Sequence, residues 1–340
     1  MRTSLIAFTT KGLYCPVGDF YIDPWRGVHR AVITHAHSDH ARYGSQHYLC
    51  HRHTLPLLQL RLGLQNNFET LLWGETINLN GVMLSMHPAG HIIGSSQVRL
   101  EYKGEVWVFT GDYKLENDGL SGAWEPLKCH TYITESTFGL PVYRWQPQQI
   151  VYNKIQQWVL HNQAGGLSSA LIAYSLGKAQ RILKPLAQIA DRIYVHGAIW
   201  NTHQALQQDG WVLPNVYRLD ANTPKENLKG AVVIAPPSAE DTPWMRRFAP
   251  YKTGVCSGWM QVRGHMRRRN ADAGFALSDH CDWPALLTAV KETEAQRVYV
   301  THGFQSALSR FLTEQGLEAH EVHTEFTGDD TTDNTVAAEA

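Results

Sequence analysis

Short apolar and β-branched runs alternate with Gly, Pro and Asp turns over the first part of the chain. They are Phe20-Tyr21-Ile22, Ala31 to Thr34, Val82 to Met86, Gln97 to Tyr102, Val106 to Thr110 and Tyr132-Ile133-Thr134. Runs of this kind bounded by turn residues predict strands. One segment breaks the rhythm: between Thr54 and Leu64, Leu55, Leu58 and Leu62 recur at helical spacing, predicting a helix against a sheet. From about Gln148 the pattern changes to helix, strand, helix, strand: Ile150 to Leu160, Ala170 to Tyr174, Gly177 to Ala190 and Arg192 to Val195. It continues through Ala231 to Ala235 and Gly254-Val255-Cys256. This is the pattern of an α/β layer. Near residue 275, strands that end in histidine are expected again, Phe275 to His280 and Val298 to His302. The expected organisation is therefore one domain over 1–147 and 275–323 with a second, 148–274, inserted into it. The remaining 324–340 carries five acids and no base and is expected to be a disordered acidic tail.

Composition narrows the class without naming a partner. A chain of 340 residues, 43% hydrophobic and 18% charged with a formal net charge of −1, is long enough for a large core and two domains. Nothing global announces nucleic acid or a membrane surface, so either must be argued from local patches. Cys15, Cys50, Cys129, Cys256 and Cys281 are odd in number and form no Cys-x-x-Cys pair, which argues against a disulfide framework or zinc ribbon and for a reducing compartment. The apolar run Leu5-Ile6-Ala7-Phe8 is too brief for a signal peptide, and no apolar stretch is long enough to span a bilayer. The expectation is a cytoplasmic protein with no membrane partner.

The chemistry begins directly after the strand-like Ala31-Val32-Ile33. His35-Ala36-His37-Ser38-Asp39-His40 gathers three imidazoles and a carboxylate within less than two helical turns. Borderline-soft divalent ions such as zinc take these ligand types, and the spacing can serve two neighbouring ions. Clustering alone is a weak argument in a chain with 18 histidines. His51 and His53, which have no carboxylate beside them, read as a polar turn. Four further segments end an apolar run with a potential ligand, where open α/β sheets place functional groups. They present His91 after Gly90, Asp112 after Gly111, His280 after Ser278-Asp279, and His302 after Thr301. Taken singly, each is equally well explained as a loop, turn or core residue.

Taken in this order, the segments resemble the metallo-β-lactamase superfamily, and within it the β-CASP nucleases, over nearly the whole chain. Asp23 in Phe20-Tyr21-Ile22-Asp23 matches the first motif, His35 to His40 the second, His91 the third and Asp112 the fourth. Glu135 in Thr134-Glu135-Ser136-Thr137-Phe138-Gly139, His280 and His302 match the three further β-CASP motifs. Arg267-Arg268-Arg269, Gly274-Phe275 and Leu277 to Trp283 are similar to the ligase-associated DNA exonucleases, relatives of Artemis. His302 is instead typical of RNA-processing members, so DNA and RNA both stay open.

The resemblance implies an α/β fold, a metallo-β-lactamase αββα sandwich with an inserted α/β β-CASP domain, and a metal-dependent hydrolase of phosphodiester bonds. It implies two divalent metal ions, zinc or manganese: one held by His35, His37, His91 and Asp112, the other by Asp39, His40, His302 and the shared Asp112. Asp23 would orient a ligand imidazole, and a turn-capping role before Pro24 is the alternative. His280 would protonate the departing oxygen with Glu135 beside it. Arg263, Arg267, Arg268 and Arg269 suit phosphate because a guanidinium donates two parallel bonds; a solvated basic face is the alternative. Ser175, Lys178 and Ser257 are candidates for a terminal-phosphate pocket, because small hydroxyls, a cation and amides at a helix start suit an anion. The implied partners are DNA or RNA, together with a DNA ligase and a helicase acting in DNA repair. A small-molecule ester or thioester hydrolase of the same fold is a rival, against which the insert counts.

Overall fold

The computed structural model describes residues 4–262 and 271–326. Among these are nineteen strands and six α-helices, in two compact units: residues 4–143 with 279–326, and residues 144–262 with 271–278. No described helix is long and apolar enough to cross a membrane.

The first unit has two sheets. One runs β1 (Ala7–Thr9), β2 (Gly12–Cys15), β3 (Phe20–Ile22), β4 (Arg30–Ile33), β5 (His47–His51), β6 (Asn67–Leu71), antiparallel up to β3 and parallel from there on. Helix α1 (Leu55–Leu62) follows β5, and Pro56 in its first turn costs no internal hydrogen bond there. The other sheet has the order β19 (Glu318–Glu321), β18 (Arg297–Gly303), β11 (Thr131–Ser136), β10 (Glu105–Phe109), β9 (Ser96–Tyr102), β8 (Val82–Pro88), β7 (Thr76–Leu79). Strands β19, β18, β11 and β10 run parallel, and the β7–β8–β9 meander joins β10 antiparallel.

Side-chain alternation explains the layering. On β10, Trp107 and Phe109 enter a core shared with Leu13, Phe20, Ile22, Val32 and Leu49 of the first sheet. Their neighbours Val106 and Val108 turn to the opposite face, against Leu286, Ala289, Leu308 and Leu312 of α5 (Trp283–Thr293) and α6 (Gln305–Glu314). With both faces covered, the strand reads as the continuous run Val-Trp-Val-Phe rather than alternating with polar residues.

In the second unit, β12 (Ser168–Ile172), β13 (Ile193–Val195), β14 (Tyr217–Arg218), β15 (Val232–Ala235), β16 (Tyr251–Cys256) and β17 (Ala273–Phe275) form one sheet ordered β14-β13-β15-β12-β16-β17. All its pairings are parallel. Helices α2 (Gln148–Ala164), α3 (Lys178–Leu186) and α4 (Gly197–Gln208) connect or flank it. Ile155, Val159, Ile182, Leu183 and Ile199 from these helices meet Leu171, Val195, Val232 and Ile234 in one core.

Two expectations are corrected. The run Phe275 to His280 is not a strand: β17 ends at Phe275 and pairs with β16, so it belongs to the second unit's sheet. The Leu277 amide then folds back onto the Phe275 carbonyl at 2.8 Å and ends the extended backbone. The units accordingly meet in sequence at 143/144 and 278/279 rather than four residues inward. Nor is 324–340 disordered from its start, since the Glu325 carboxylate accepts two bonds from Arg26 at 2.6 and 2.8 Å and Phe326 is buried in the first unit's core. The remainder of that segment lies outside the described residues.

Leu171 lies within β12, fully buried. Leu171→Ala should cost about 2–5 kcal/mol by loss of transfer energy and by the cavity left behind. A urea-unfolding midpoint that fails to fall would contradict the placement of this strand in the core.

Candidate metal centre

Apart from His280, the candidate side chains of the first unit follow or close the carboxyl end of a strand. Asp23 follows β3, His35 to His40 follow β4, His91 follows β8 and Asp112 follows β10, while Glu135 and His302 close β11 and β18. Because β8 is antiparallel to β9, and β9 to β10, strands β8, β10, β11 and β18 all point the same way and deliver their ends to one edge. Two glycines make the sharp exits. Gly90 and Gly111 have φ of 76° and 56°, a region costly for residues with a Cβ. A Cβ on Gly111 would also stand 2.7 Å from the Thr34 hydroxyl, and one on Gly90 would clash with the Lys114 carbonyl. The hexapeptide itself closes a turn, with the His40 and Ala41 amides donating to the His37 carbonyl at 3.2 and 2.9 Å.

The result is two groups of nitrogens around a single carboxylate. His35, His37, His91 and Asp112 form one close set, and His40, Asp112 and His302 another. The two oxygens of Asp112 divide between them. Oδ2 lies 3.4 Å from His35 Nε2 and 3.8 Å from His91 Nε2, and Oδ1 lies 3.5 Å from His40 Nε2 and 3.1 Å from His302 Nε2. His91 Nε2 is 3.0 Å from His37 Nδ1. Ligands at zinc distances with tetrahedral angles would stand roughly 3.3 Å apart. Asp39 is farther out, with its Oδ2 3.9 Å from His40 Nε2.

Hydrogen bonds behind the imidazoles decide which nitrogen is presented. Asp23 Oδ2 accepts from His40 Nδ1 at 2.7 Å and from the Thr34 hydroxyl at 2.5 Å, and its Oδ1 accepts from the Thr34 amide at 2.8 Å. With its proton committed to Asp23, the Thr34 oxygen accepts from His35 Nδ1 at 3.0 Å. His91 Nδ1 donates to the Asp279 carbonyl at 3.0 Å. Thr301 donates to the Thr134 carbonyl at 3.0 Å and so accepts from His302 Nδ1 at 3.3 Å. Each Nδ1–H is thereby committed, and each Nε2 is the nitrogen turned toward Asp112. Asp23 spends its oxygens on orientation and capping rather than on the centre.

Buried Nε2 atoms of His35, His40 and His302 and Oδ1 of Asp112 have no hydrogen-bond partner, which is costly for polar atoms unless something else satisfies them. Their charges point the same way. Burial, with neighbouring His40, depresses the His35 imidazole well below its ordinary pKa, and burial with His280 does the same for His91. Burial alone would also depress His40, but the carboxylates of Asp112, Asp39 and Asp23 outweigh it and push this group up to about 10. Burial opposes ionisation of Asp112, yet His40 and His302 hold its carboxyl well below the usual range. Imidazoles gathered around an ionised carboxylate are a donor set for a cation, which would displace the proton that the carboxylates favour on His40, so these buried clusters can hold metal ions.

A third group lies beside them. His280 Nδ1 is 2.8 and 3.0 Å from the two oxygens of Glu135, which also accept the Tyr113 amide at 3.0 Å and the Thr137 amide at 3.3 Å. Glu135 and His280 fall in one close set with Asp112. The His280 and His91 rings lie 4.6 Å apart. His51 and His53 are elsewhere, packed on Trp73, with His51 stacked at 4.2 Å and pushed down to about 3 by burial.

In the second unit, Ser175 lies between β12 and α3, Lys178 opens α3, and Ser257 follows β16. Strands β12 and β16 are parallel neighbours from which the chain departs in opposite directions, to β13 on one side and β17 on the other. That makes the crevice at their carboxyl ends the expected ligand position of an open sheet. The buried Lys178 ammonium lies 4.6 Å over the Tyr174 ring, and Ser257 caps the short 3₁₀ helix Gly258–Gln261 through the Trp259 amide. Arg263, Arg267, Arg268 and Arg269 lie outside the described residues.

No family model matches the chain. It is 33% identical over 313 residues to a protein named Probable DNA ligase from Opitutus terrae, an alignment covering 91% of this chain and 30% of that protein. It is 31% identical over 120 residues to Endoribonuclease YSH1 of Saccharomyces cerevisiae, covering 35% of this chain and 15% of that one. The corresponding protein of Yarrowia lipolytica is 31% identical over 147 residues, 42% of this chain and 16% of that protein. The chain therefore spans less than a third of the length of these curated relatives. Among solved structures, a protein of unknown function from Enterococcus faecalis V583 shares the fold at a TM-score of 0.58 and 13% identity, covering 87% of this chain and 79% of that one.

Three parts of the centre escaped sequence reasoning: the Thr34 relay, Thr301 and Phe326. The first two had a signal, since both strands ending in a candidate ligand read Thr-His, Thr34-His35 and Thr301-His302. Removing one acceptor from the Asp23 carboxylate tests the orientation network. Asp23→Asn should weaken metal binding about 10- to 100-fold. Calorimetric titration with zinc would read this, and unchanged affinity in a folded variant would show that the network does not set the ligands.

Proposed function

We propose that this chain is a metal-dependent nuclease of the metallo-β-lactamase superfamily, β-CASP branch, that hydrolyses phosphodiester bonds of DNA and acts from a strand end in DNA repair. The observation that carries the reading is the division of Asp112, one oxygen toward the His35–His91 set and the other toward His40 and His302. A carboxylate shared in this way fits a pair of divalent ions, zinc or manganese. Similarity over most of the chain to part of a protein named Probable DNA ligase favours DNA and a ligase as partner class, and a helicase is the further partner class that the family resemblance implies.

Two bound ions supply a water nucleophile active at neutral pH and neutralise the charge of the attacked phosphate. The chain's own residues do the rest. His35, His37, His91 and Asp112 hold one position, and His40, His302, Asp39 and the shared Asp112 the other. Asp23 and Thr34 keep the imidazoles of His40 and His35 in the ligating tautomer. Glu135 accepts the His280 Nδ1–H and stabilises the imidazolium, from which His280 Nε2 gives its proton to the departing 3′ oxygen. In the second unit, Ser175, Lys178 and Ser257 receive a terminal 5′-phosphate at the carboxyl ends of β12 and β16. Arg263, Arg267, Arg268 and Arg269 contribute to the backbone grip.

RNA is the second reading, favoured by the similarity to proteins named Endoribonuclease YSH1 and by the imidazole of His302 at the centre. End-labelled single-stranded DNA and matched RNA, incubated with zinc or manganese, decide between them by which is shortened. Asp112→Asn should abolish cleavage of either. His280→Ala should lower turnover about 10²- to 10⁴-fold while metal content stays at the wild-type level. Full turnover in that variant would remove the proton-donor assignment. Lys178→Ala should erase the preference for a 5′-phosphorylated over a 5′-hydroxyl end, and equal rates on both ends in the wild type would sink the end-binding pocket.

A further inference from the structure

Beyond β19 the chain runs Val322-His323-Thr324-Glu325-Phe326 and is tied down along its length. The Val322 amide donates to the Val300 carbonyl at 2.9 Å, Gln305 Nε2 donates to the Val322 carbonyl at 2.9 Å, and Arg26 grips both oxygens of Glu325. This strap delivers Phe326 onto the candidate metal centre. Its ring stacks flat on His40, with centroids 4.3 Å apart and 7° between planes, and presents an edge to His302 at 5.4 Å and to Trp25 at 5.7 Å. These are its ring contacts among the described residues, and they are selective. Both imidazoles it touches face Asp112 Oδ1, and neither belongs to the set around Oδ2.

We propose that Phe326 is a positioning residue for the His40–Asp112–His302 half of the centre, an inference that rests on the two-ion reading above. The bond from Nδ1 to Asp23 fixes one edge of the His40 ring but leaves rotation about that bond, which a flat ring on its face removes. Behind His302 stands a 3.3 Å contact to Thr301, and the Phe326 edge at 5.4 Å adds a further restraint beside the His40 ring at 5.8 Å. The same apolar ring keeps water from this half, and a drier surrounding strengthens the attraction between a cation and its ligands. The Arg26–Glu325 pair is the clasp that holds the strap in register.

The test is calorimetric titration of the metal-stripped full chain with zinc, against a chelator of known affinity, reading the two binding steps separately. Phe326→Ala should leave one step as in the wild type and weaken the other at least tenfold, whereas Phe326→Tyr, which keeps the flat ring, should bind both ions normally. The clasp gives surface variants that do not open the core. Arg26→Glu and Glu325→Arg should each weaken the same step about two- to fivefold, the scale of an exposed ion pair, and the double swap should restore it. Wild-type binding of both ions by Phe326→Ala, or equal weakening of both steps, would overturn the assignment. A folded Phe326→Ala is not needed, since failure of the double swap to restore the affected step would overturn it too. A wild-type chain that takes up fewer than two ions would instead bring down the two-ion reading, and this inference with it.

Discussion

A single carboxylate, that of Asp112, sits 2% exposed between two groups of imidazoles and points one oxygen at each. An ionised carboxylate in such a place is expensive unless it is paired and satisfied. The surrounding architecture provides for that cost. Four imidazoles turn Nε2 toward Asp112, and each is able to do so because its Nδ1 is engaged by Asp23, Thr34, Thr301 or the Asp279 carbonyl. Those partners are in turn fixed by strand ends. Thr34 is the residue after β4, Thr301 lies within β18, and the Asp112 backbone leaves β10 through a glycine that alone accepts its φ without meeting Thr34. The sheets that bury hydrophobic surface on both faces are therefore the same elements that hold the centre rigid. Stability and site geometry share one set of residues.

Much of this was legible before any coordinates, for a physical reason. Ligands at strand ends must follow apolar runs, and a chain that turns sharply after a strand needs glycine there, so Gly90-His91 and Gly111-Asp112 advertise themselves. The hexapeptide is local, with its members joined by a turn of hydrogen-bonded backbone. What stayed hidden was long-range. Nothing near Phe326 in the chain announces that it will lie on His40, nearly three hundred residues away, and its acidic surroundings argue for disorder instead. Composition treats Glu325 as one more charge in a polar tail, whereas Arg26 turns it into an anchor. The unit boundary was missed by four residues because an Ala-Gly-Phe strand at the edge of one sheet reads like the start of the next element.

The second unit follows a different logic. Its sheet is wholly parallel, so its connections are crossovers and its carboxyl edge is the place where loops are free to vary. With the order β14-β13-β15-β12-β16-β17, the loops after β12 and β16, which carry Ser175 and Ser257, leave in opposite directions. Gly177 lies in the first of these loops with a φ of 92°, and its amide donates to Gln180 Oε1 at 2.8 Å while Gln180 Nε2 reaches back to the Ser175 carbonyl at 3.0 Å. The start of α3 is thus tied off by a side chain, which holds the loop bearing Ser175 in a fixed shape.

Lys178 shows why this loop is more than a helix start. A lysine buried to 1% exposure pays for desolvation, and the Tyr174 ring face is one of the contacts set against that cost. A purely structural helix start has no use for such a residue, because a leucine would fill the volume at lower cost. An anion at the carboxyl ends of β12 and β16 would gain from a lysine ammonium and from the amides at the start of α3. On the proposed reading, the cost of burying this cation is of the same kind as that of the buried Asp112 in the first unit, and opposite in sign. On that reading, negative charge in the first unit serves cations and positive charge in the second serves an anion, the division of labour that hydrolysis of a phosphate ester at a chain end would require.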